Sequence, residues 1–424
     1  MSSTNSPTSN AQLQTSGAGL RTPDASRSGP LQGIRVIECG NMVSAPYAAK
    51  LMADLGAEVI KVESPAGDAS RRRGPYPGNV PHPEKSGTFL YLNTNKLGVT
   101  LNLEVAKGQE ILHHLVKEAD LVIHNYHPTR MAEVGMDYDI LRQINPRVVM
   151  TSISPFGQTG PNRNLHAQEL TMWSAGGIVY LGGVSGRPDM PPLKTFGQQA
   201  GFQGGANAAN GSLAALFGRF RSGKGQHVDI SVQECLVAIM ENNYISWPYD
   251  HSISSRLGFR LIPQDVFQCR DGFIYFLAIE DHQWKGAVEL MGNPDWAAMD
   301  IFQDFPSRSA NWDVLKTLLE EWMADKSLQE VYHAAQARRV PFAPVSTVGD
   351  LINSKHLNAR GFFAEISHPQ TGNLKYPGAP YRFSATPWAL RRPAPCLGQH
   401  NSEVYGRIGL SQAEINELKQ QGTI

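Results

Sequence analysis

The chain has 424 residues, long enough for more than one domain and a sizeable core. Its 38 Lys+Arg balance 38 Asp+Glu, so it lacks the net field that nucleic acid or an anionic membrane attracts. Its four cysteines, Cys39, Cys235, Cys269 and Cys396, lie far apart without a CxxC pair, and no apolar run is long enough to span a bilayer. That usage argues against a disulfide framework or zinc site and for a reduced, cytoplasmic protein with buried thiols.

Residues 1–29 are rich in Ser, Thr, Asn and Gly, have no aromatic residue and lack the apolar stretch of a signal peptide; they are expected to be a disordered tail. From Pro30 onward the hydrophobic period alternates. Gly33–Glu38 reads as a strand, Ala45–Leu55 as a helix closed by Gly56, and Ala57–Val62 as a second strand. Val99–Leu103 is a third strand. Val105–Glu118 is amphipathic, with Ile111, Leu112, Leu115 and Val116 on one face. Asp120–His124 and Arg147–Thr151 complete the series. Strand and helix in alternation predict an α/β fold with a parallel sheet covered by helices, whose ligands bind beyond the carboxyl ends of the strands. Those ends carry Cys39-Gly40-Asn41-Met42-Val43, Glu63–Asp68 and Asn125-Tyr126-His127-Pro128. The first turn has no GxGxxG, which argues against a standard dinucleotide site. Arg71-Arg72-Arg73 reads as a solvated loop, with phosphate binding as the alternative.

The middle of the chain changes character. Ser174–Gly186 is glycine-rich, and Ala206–Phe217 is a predicted helix of small residues that lets backbones approach closely. His227–Met240 begins as a strand and becomes helical. A compact α+β segment follows, with strands near Asp265–Gln268 and Phe273–Ala278 and helices near Gln283–Met291 and Trp312–Ala324. From Arg338 the chain is proline-rich and extended, ending in a polar helix over Gln412–Gln420. There are no internal repeats. His113 and His114 are adjacent on a helix and diverge, so a metal site there is not expected.

Several blocks resemble the class III CoA-transferases, the CaiB/BaiF-type family. They are Pro30–Pro46 (PLQGIRVIECGNMVSAP), Leu55–Glu63 (LGAEVIKVE) with Gly67-Asp68, Asn93–Leu103 (NTNKLGVTLNL) and Ala119–Pro128 (ADLVIHNYHP). Further ones are Asn145-Pro146-Arg147, Gly157–Pro161 (GQTGP), Arg221–Glu234 (RSGKGQHVDISVQE), Phe267–Trp284, Val340–Val345 and Leu397–Val404. The resemblance implies a Rossmann-like large domain built from both chain ends, an inserted smaller α+β domain, and an interlocked, ring-like dimer. Laid on this chain, residues 30–225 would be the first part of the large domain, 226–337 a linker helix and the small domain, and 338–424 the returning part.

The resemblance also implies a reaction: CoA moves from an acyl-CoA to a free carboxylic acid through an enzyme aspartate, which forms a mixed anhydride and then a CoA thioester. That aspartate falls nine positions after the Pro191-Pro192 pair, where this chain has Gly201. Glycine has no side chain to attack with, so no nucleophile is expected at this position. Glu169 is expected to be an auxiliary carboxylate that orients backbone or caps a helix, with a substitute nucleophile as the alternative. By the same resemblance Asn41, Met42 and Val43 would hold the body of CoA, Lys96 and Leu101 a second contact region, and Arg130 and Val134 a third. Arg71 and Arg72 would serve the phosphates. Glu104 and Glu133 stand where the family commonly has basic residues. No permanently bound cofactor is implied; CoA and acyl-CoA are substrates.

Some family members are heteromers of two homologous subunits, only one bearing the aspartate. The chain resembles the subunit type without it, in enzymes that move CoA from succinyl-CoA to aryl-substituted succinates. The expected partner is therefore a homologous Asp-bearing subunit, in a heterodimer or heterotetramer, with an acyl-CoA and a carboxylic acid as ligands and neither nucleic acid nor membrane. Trp173, Tyr180 and Phe202 are candidates to line an aromatic-accepting pocket, with core packing as the alternative. The other two readings are a self-sufficient transferase using Glu169 or another carboxylate, and a pseudoenzyme that binds CoA esters or a partner.

Overall fold

The computed structural model describes residues 29–183, 187, 189–256 and 263–424. The tail expected over residues 1–29 therefore lies, apart from Gly29, outside the described residues. The first half of the chain builds a six-stranded sheet from β1 (Arg35–Cys39), β2 (Glu58–Glu63), β3 (Lys96–Thr100), β4 (Leu121–His124), β5 (Val149–Ser154) and β6 (His227–Ser231). Every pairing is parallel, and the order is β3-β2-β1-β4-β5-β6. Chain direction across the sheet reverses between β1 and β4, the topological switch of a doubly wound fold.

Alternation along the strands sends neighbouring residues to opposite faces. Ile37, Ile60, Val99 and Val122 pack with Ile111, Leu112, Leu115 and Val116 of the helix Ala106–Val116 on one face. Val36, Val59, Leu121 and Ile123 pack on the other against Ala45, Ala48, Ala49 and Met52 of Ser44–Asp54 and against Ala208, Ala209, Ala215 and Leu216 of Gln199–Ser222. With both faces covered, β1 to β5 are buried almost throughout, as parallel sheets require. The two helices of the second face cross closely because their contact is built of alanine and glycine. A Cβ on Gly205 would lie 2.6 Å from the Ser44 carbonyl oxygen.

Two elements differ from expectation. The third strand begins at Lys96 rather than Val99, because its first residue is a lysine that is wholly buried and ion-paired; a periodicity of apolar residues cannot register it. The small-residue helix runs over 24 residues, Gln199–Ser222, rather than Ala206–Phe217. Gly201, Gly204 and Gly205 weaken its intrinsic propensity, and packing against the sheet overrides that.

A second core forms around an antiparallel sheet of β7 (Gln264–Cys269), β8 (Gly272–Leu277) and β9 (Ala343–Pro344). Phe267, Ile274, Phe276 and Phe342 bury against Trp284, Trp312, Leu315 and Leu319 from the helices Asp281–Leu290 and Trp312–Met323. Strand β6 lies beyond residue 225 and belongs to the large sheet, and β9 lies beyond residue 337 and belongs to the small one. After the hairpin of β10 (Phe363–His368) and β11 (Gly372–Pro377), the chain returns to the large sheet. His400 Nδ1 accepts from the Gly98 amide at 2.9 Å, Asn401 Oδ1 accepts from Thr100 at 2.9 Å, and Tyr405 donates to the Thr100 carbonyl at 2.6 Å. The C-terminal segment thus covers the exposed edge of β3. Among the described residues, no helix is long and apolar enough to cross a membrane.

Candidate active site

The ends of β1 and β4 meet at the switch point, and their loops are tied together there. Asn125 Oδ1 accepts from the Asn41 amide at 2.9 Å, and Asn125 Nδ2 donates to the Asn41 carbonyl at 2.7 Å and to Ser44 Oγ at 3.0 Å. Met42 adopts a left-handed conformation, φ 62°, which an L-residue with a long side chain holds only under constraint. Its amide donates to Asp68 Oδ1 and to Asn41 Oδ1, both at 3.0 Å.

Asp68 is anchored from below by a buried charge network. Lys61 Nζ reaches Asp68 Oδ2 at 2.8 Å, Glu38 Oε1 at 2.9 Å and the Gly40 carbonyl at 3.1 Å. Lys96 Nζ reaches Glu38 Oε2 at 2.7 Å and the Pro46 carbonyl and Asn93 Oδ1 at 2.8 Å. Two ammonium groups and two carboxylates therefore balance, and both lysines have three acceptors. Burial opposes the charge of Lys61, but Asp68, Glu38 and Glu63 outweigh it and hold the ammonium above its usual range. Burial also opposes the charge of Asp68, and Lys61 beside it keeps that carboxyl below its usual range. Lys96 is brought down to about 8 by burial and the repulsion of Lys61 and Lys50, against the attraction of Glu38.

On the other side of the site is the first turn of the long helix Gln199–Ser222. Glu169 opens the short helix Glu169–Ala175 and turns its carboxylate onto this turn. Oε1 accepts from Trp173 Nε1 at 2.6 Å and from the Ala200 amide at 2.8 Å, and Oε2 accepts from the Gly201 amide at 3.3 Å. Lys194 Nζ lies 3.9 Å away and donates to the Gly197 carbonyl. The carboxylate thus satisfies amides that the helix leaves open and sits at the positive end of its dipole. Gly201 lies in that first turn, within the helix rather than before it. A Cβ there would sit 3.0 Å from Val43 Cβ and 3.1 Å from Val43 Cγ1. A side chain at position 201 would start in tight contact with Val43, which would have to give by a few tenths of an ångström.

Between these loops and the start of the long helix lies a cavity of about 380 Å³, a volume suited to a small ligand. Its wall combines apolar groups (Met42, Val43, Ile153, Met172, Val232) with Ser44, Arg73, Asn125, Ser154, Gln168, Glu169 and Gln198. Beneath the β4 end, His124 is wholly buried. Its Nδ1 accepts from the Tyr126 amide at 3.2 Å, which leaves Nε2–H to donate to Ser152 Oγ at 2.6 Å. The Ser152 hydroxyl in turn donates to His227 Nε2 at 2.7 Å. Burial, aided by His227, pushes His124 down to about 3, and burial also lowers His227.

The residues expected to hold CoA are only partly assembled. Met42 and Val43 line the cavity and Asn41 braces its loop. Five of these residues are placed otherwise than expected. Lys96 is enclosed by its three acceptors and has no exposed surface. Leu101 and Val134, 1 % and 2 % exposed, belong to the core. Arg71 is neither a solvated residue nor a free phosphate ligand: it pairs with Glu63 through Nε at 2.7 Å, with Glu84 at 2.7 Å, and lies 3.6 Å from the centroid of Phe89. Arg130 is exposed but held by Glu104 at 2.8 Å and Glu133 at 3.4 Å. Arg72 is exposed, and of the basic run Arg73 alone lines the cavity. Nor do the three candidate aromatics line it. Trp173 is buried beside Glu169, Tyr180 is half-exposed in a shallow site beside Trp247, and Phe202 packs edge-on to Tyr47 at 4.8 Å. Sequence reading assigned no binding role to Ser154, Gln168 or Gln198. Of these, Ser154 was findable as the polar residue ending β5.

Comparison with known proteins agrees with this geometry. A family model described as CoA-transferase family III matches residues 31–401. The chain is 33 % identical over 390 residues to the succinyl-CoA:(R)-benzylsuccinate CoA-transferase subunit BbsE of Thauera aromatica, covering 89 % of this chain and 94 % of that protein. It is 30 % identical to the succinyl-CoA–L-malate CoA-transferase beta subunit of Chloroflexus aurantiacus, covering 93 % of this chain and 98 % of that one. It is 32 % identical to the formyl-CoA:oxalate CoA-transferase of Streptomyces avermitilis, covering 93 % and 99 %. A crystal structure of a CAIB/BAIF family protein from Brucella suis superposes with a TM-score of 0.81 at 29 % identity, covering 90 % of this chain and 100 % of that one. The chain belongs to CoA-transferase family III.

Proposed function

We propose that this chain is the non-nucleophilic subunit of a heteromeric CoA-transferase, paired with a homologous subunit that carries the aspartate. The observation that carries the reading is position 201: glycine stands where the family resemblance places the nucleophile, and a Cβ there would meet Val43 in tight contact at 3.0 Å. The partner's aspartate attacks the acyl-CoA thioester, the C–S bond breaks, and a mixed anhydride forms with release of CoA thiolate. The thiolate returns to the aspartyl carbonyl and expels the donor acid. The acceptor carboxylate then attacks this enzyme thioester, expelling CoA thiolate and forming a second mixed anhydride, and the thiolate attacks the acceptor's acyl carbonyl to give the new acyl-CoA and free the aspartate. CoA and its esters are substrates, not resident cofactors. Succinyl-CoA as donor is supported by the names of two relatives, and an aryl-substituted succinate as acceptor by one.

Apolar side chains left on the surface support a partner. Phe217 and Phe220 on the long helix are 70 % and 68 % exposed, and Trp247 and Tyr249 on the helix Asn242–Asp250 are 55 % and 89 % exposed. Exposed large aromatic side chains on these two helices are of the kind that a protein interface covers, and they suit the interlocked dimer. Two relatives are themselves named as subunits.

The second reading, a self-sufficient transferase, draws on Glu169 because it lines the cavity. Its oxygens already accept three N–H groups, which lowers their nucleophilicity and fixes their direction. Purifying the chain alone and with its Asp-bearing homologue, then assaying CoA exchange, separates the two. The heteromer predicts exchange only by the pair, with the trapped adduct found by mass spectrometry on the homologue. Exchange by this chain alone with an adduct on Glu169 would establish the second reading instead.

A further inference from the structure

A second cavity, of about 450 Å³, shares no lining residue with the one beside Gly201. Met150 and Ser152 of β5, His227 of β6, and Asp137, Gln158 and Arg163 line it. Arg163 and Asp137 border this space with opposite charges, yet they form no ion pair with each other. Among the described residues the Arg163 guanidinium has no partner, and of the Asp137 carboxylate only Oδ1 is engaged, accepting from the Asp139 amide at 2.8 Å. Asp139, on the same lining, is paired with Arg142 at 2.9 Å. The charges therefore balance, Arg163 against Asp137 and Asp139 against Arg142. A balanced lining does not select a ligand of net charge, whereas one molecule with a carboxylate and an ammonium group answers both unpaired ends. The guanidinium takes the carboxylate by a bidentate contact, and the Asp137 carboxylate takes the ammonium group by a charge-assisted hydrogen bond.

The same lining holds one end of a buried hydrogen-bond chain. The Tyr126 amide fixes His124 Nδ1 as an acceptor, so His124 Nε2–H donates to Ser152 Oγ and the Ser152 hydroxyl donates to His227 Nε2. Neutral His227 then carries its proton on Nδ1, and among the described residues that N–H has no acceptor. The His227 ring stacks on Tyr138 with centroids 5.5 Å apart. Asp229, Asp137 and Asp139 favour its imidazolium form, and burial outweighs them; Arg163 on the lining and His124 across Ser152 stand on the side of burial. A carboxylate accepting from Nδ1–H moves that balance toward the imidazolium. Nε2 then donates, and Ser152 receives two donors. Either its hydroxyl hydrogen is left without an acceptor, or His124 moves its proton to Nδ1 and gives up the Tyr126 amide. Both weaken the chain that ends on the loop of Asn125, whose side chain ties Asn41 and Ser44 beside the first cavity.

We propose that this second cavity is an effector site for a small amino acid, its carboxylate on Arg163 and His227 and its ammonium group on Asp137, and that occupancy passes through Ser152 and His124 to the Asn125 loop. The proposal is independent of which subunit bears the nucleophile.

The test is calorimetric titration of the full-length chain with glycine and 4-aminobutyrate, which differ in the separation of their charges, and with butyrate and butylamine as one-ended analogues. The tighter zwitterion is expected to exceed both analogues by at least about tenfold, a factor worth about 1.4 kcal/mol. Arg163→Gln is expected to erase the advantage over butylamine. Asp137→Asn, which keeps a good helix cap, is expected to erase the advantage over butyrate. Circular dichroism checks that each variant folds. Hydrogen exchange of the Tyr126 amide, read by mass spectrometry on peptides covering the β4 loop, is expected to quicken at least about threefold on binding, as a weakened hydrogen bond allows. In Ser152→Ala the zwitterion is expected to bind while the Tyr126 amide no longer responds. Zwitterions and one-ended analogues binding alike would overturn the proposal, as would a preference that survives both charge substitutions. Binding without any change at Tyr126, or an equal change in Ser152→Ala, would overturn the coupling. Binding that disappears once the homologous subunit is added would show that a partner covers the cavity, and would overturn the effector site.

Discussion

Two polar regions flank the β1–β4 switch point, and they are finished differently. Below the loop, Glu38, Lys61, Asp68 and Lys96 are buried, charge-balanced and given a partner for each ammonium hydrogen. In the cavity above it, the side chains of Arg73, Ser154, Gln168 and Gln198 line the wall without a hydrogen-bond or ion-pair partner among the described residues. Burying charge is tolerable only when the geometry is complete, so the lower cluster acts as framework: it fixes Asp68, which fixes Met42 in its left-handed conformation. The upper cluster is incomplete in the way a ligand site is. In this protein, the degree of hydrogen-bond satisfaction separates support from recognition better than residue type does, since both regions contain charged side chains.

The contrast can be broken from either side. The largest effect is expected from Glu38→Ala, which strands two buried ammonium groups at once; unfolding in urea should show a loss of about 3–5 kcal/mol, whereas Arg73→Ala should change stability little. If the two variants proved equally stable, the division into framework and site would fail. Next is Gly201→Asp. Its Cβ must displace Val43, an overpacking cost of about 1–3 kcal/mol, and no exchange activity should appear when this chain is assayed alone. Pairing it with Val43→Ala should restore most of the lost thermal stability, and failure to do so would show that Val43 is not the obstacle.

Glu169→Gln sharpens the comparison within the site itself. Read as a helix-capping carboxylate, Glu169 contributes through charge-assisted bonds to the Ala200 and Gly201 amides, so the amide should cost about 1–2 kcal/mol. Adduct formation on the homologue should persist; its loss would promote Glu169 from positioning to chemistry.

The smallest expected effect is in pH dependence. His124 has a folded pKa lowered to about 3, so the unfolded chain binds the proton first, and its stability contribution is complete above about pH 6.5 and lost as pH falls toward 3. Between about pH 7 and pH 5.5 the loss is about 1 kcal/mol, and the lowered His227 adds in the same direction. His124→Gln should flatten that fall in a urea series across those pH values.

Much of the architecture was legible in the residues. Ile111, Leu112, Leu115 and Val116 declared a helix face, the runs at Val36, Val59 and Val122 declared buried strands, and Gln412–Gln420 matched its helix to the residue. The glycine at position 201 is plain in the sequence, and its place at the nucleophile position rests on the family resemblance. What local pattern could not carry was any pairing across long separation. Lys96 read as a CoA contact and Arg71 as a solvated residue or phosphate ligand, whereas the fold sets them against Glu38 and Glu63.

By itself, then, the sequence determined which segments bury, in what period, and that position 201 has nothing to attack with, since these depend on the chemistry of neighbours along the chain. Tertiary structure alone decided which charges are framework and which are free, that Val43 packs closely against position 201, and that Ser154 and Arg73 share one cavity. The reason is that desolvation and partner geometry set the state of a polar group, and residues as distant as Arg73, Ser154 and Gln198 come together only when the parallel sheet assembles the ends of its strands.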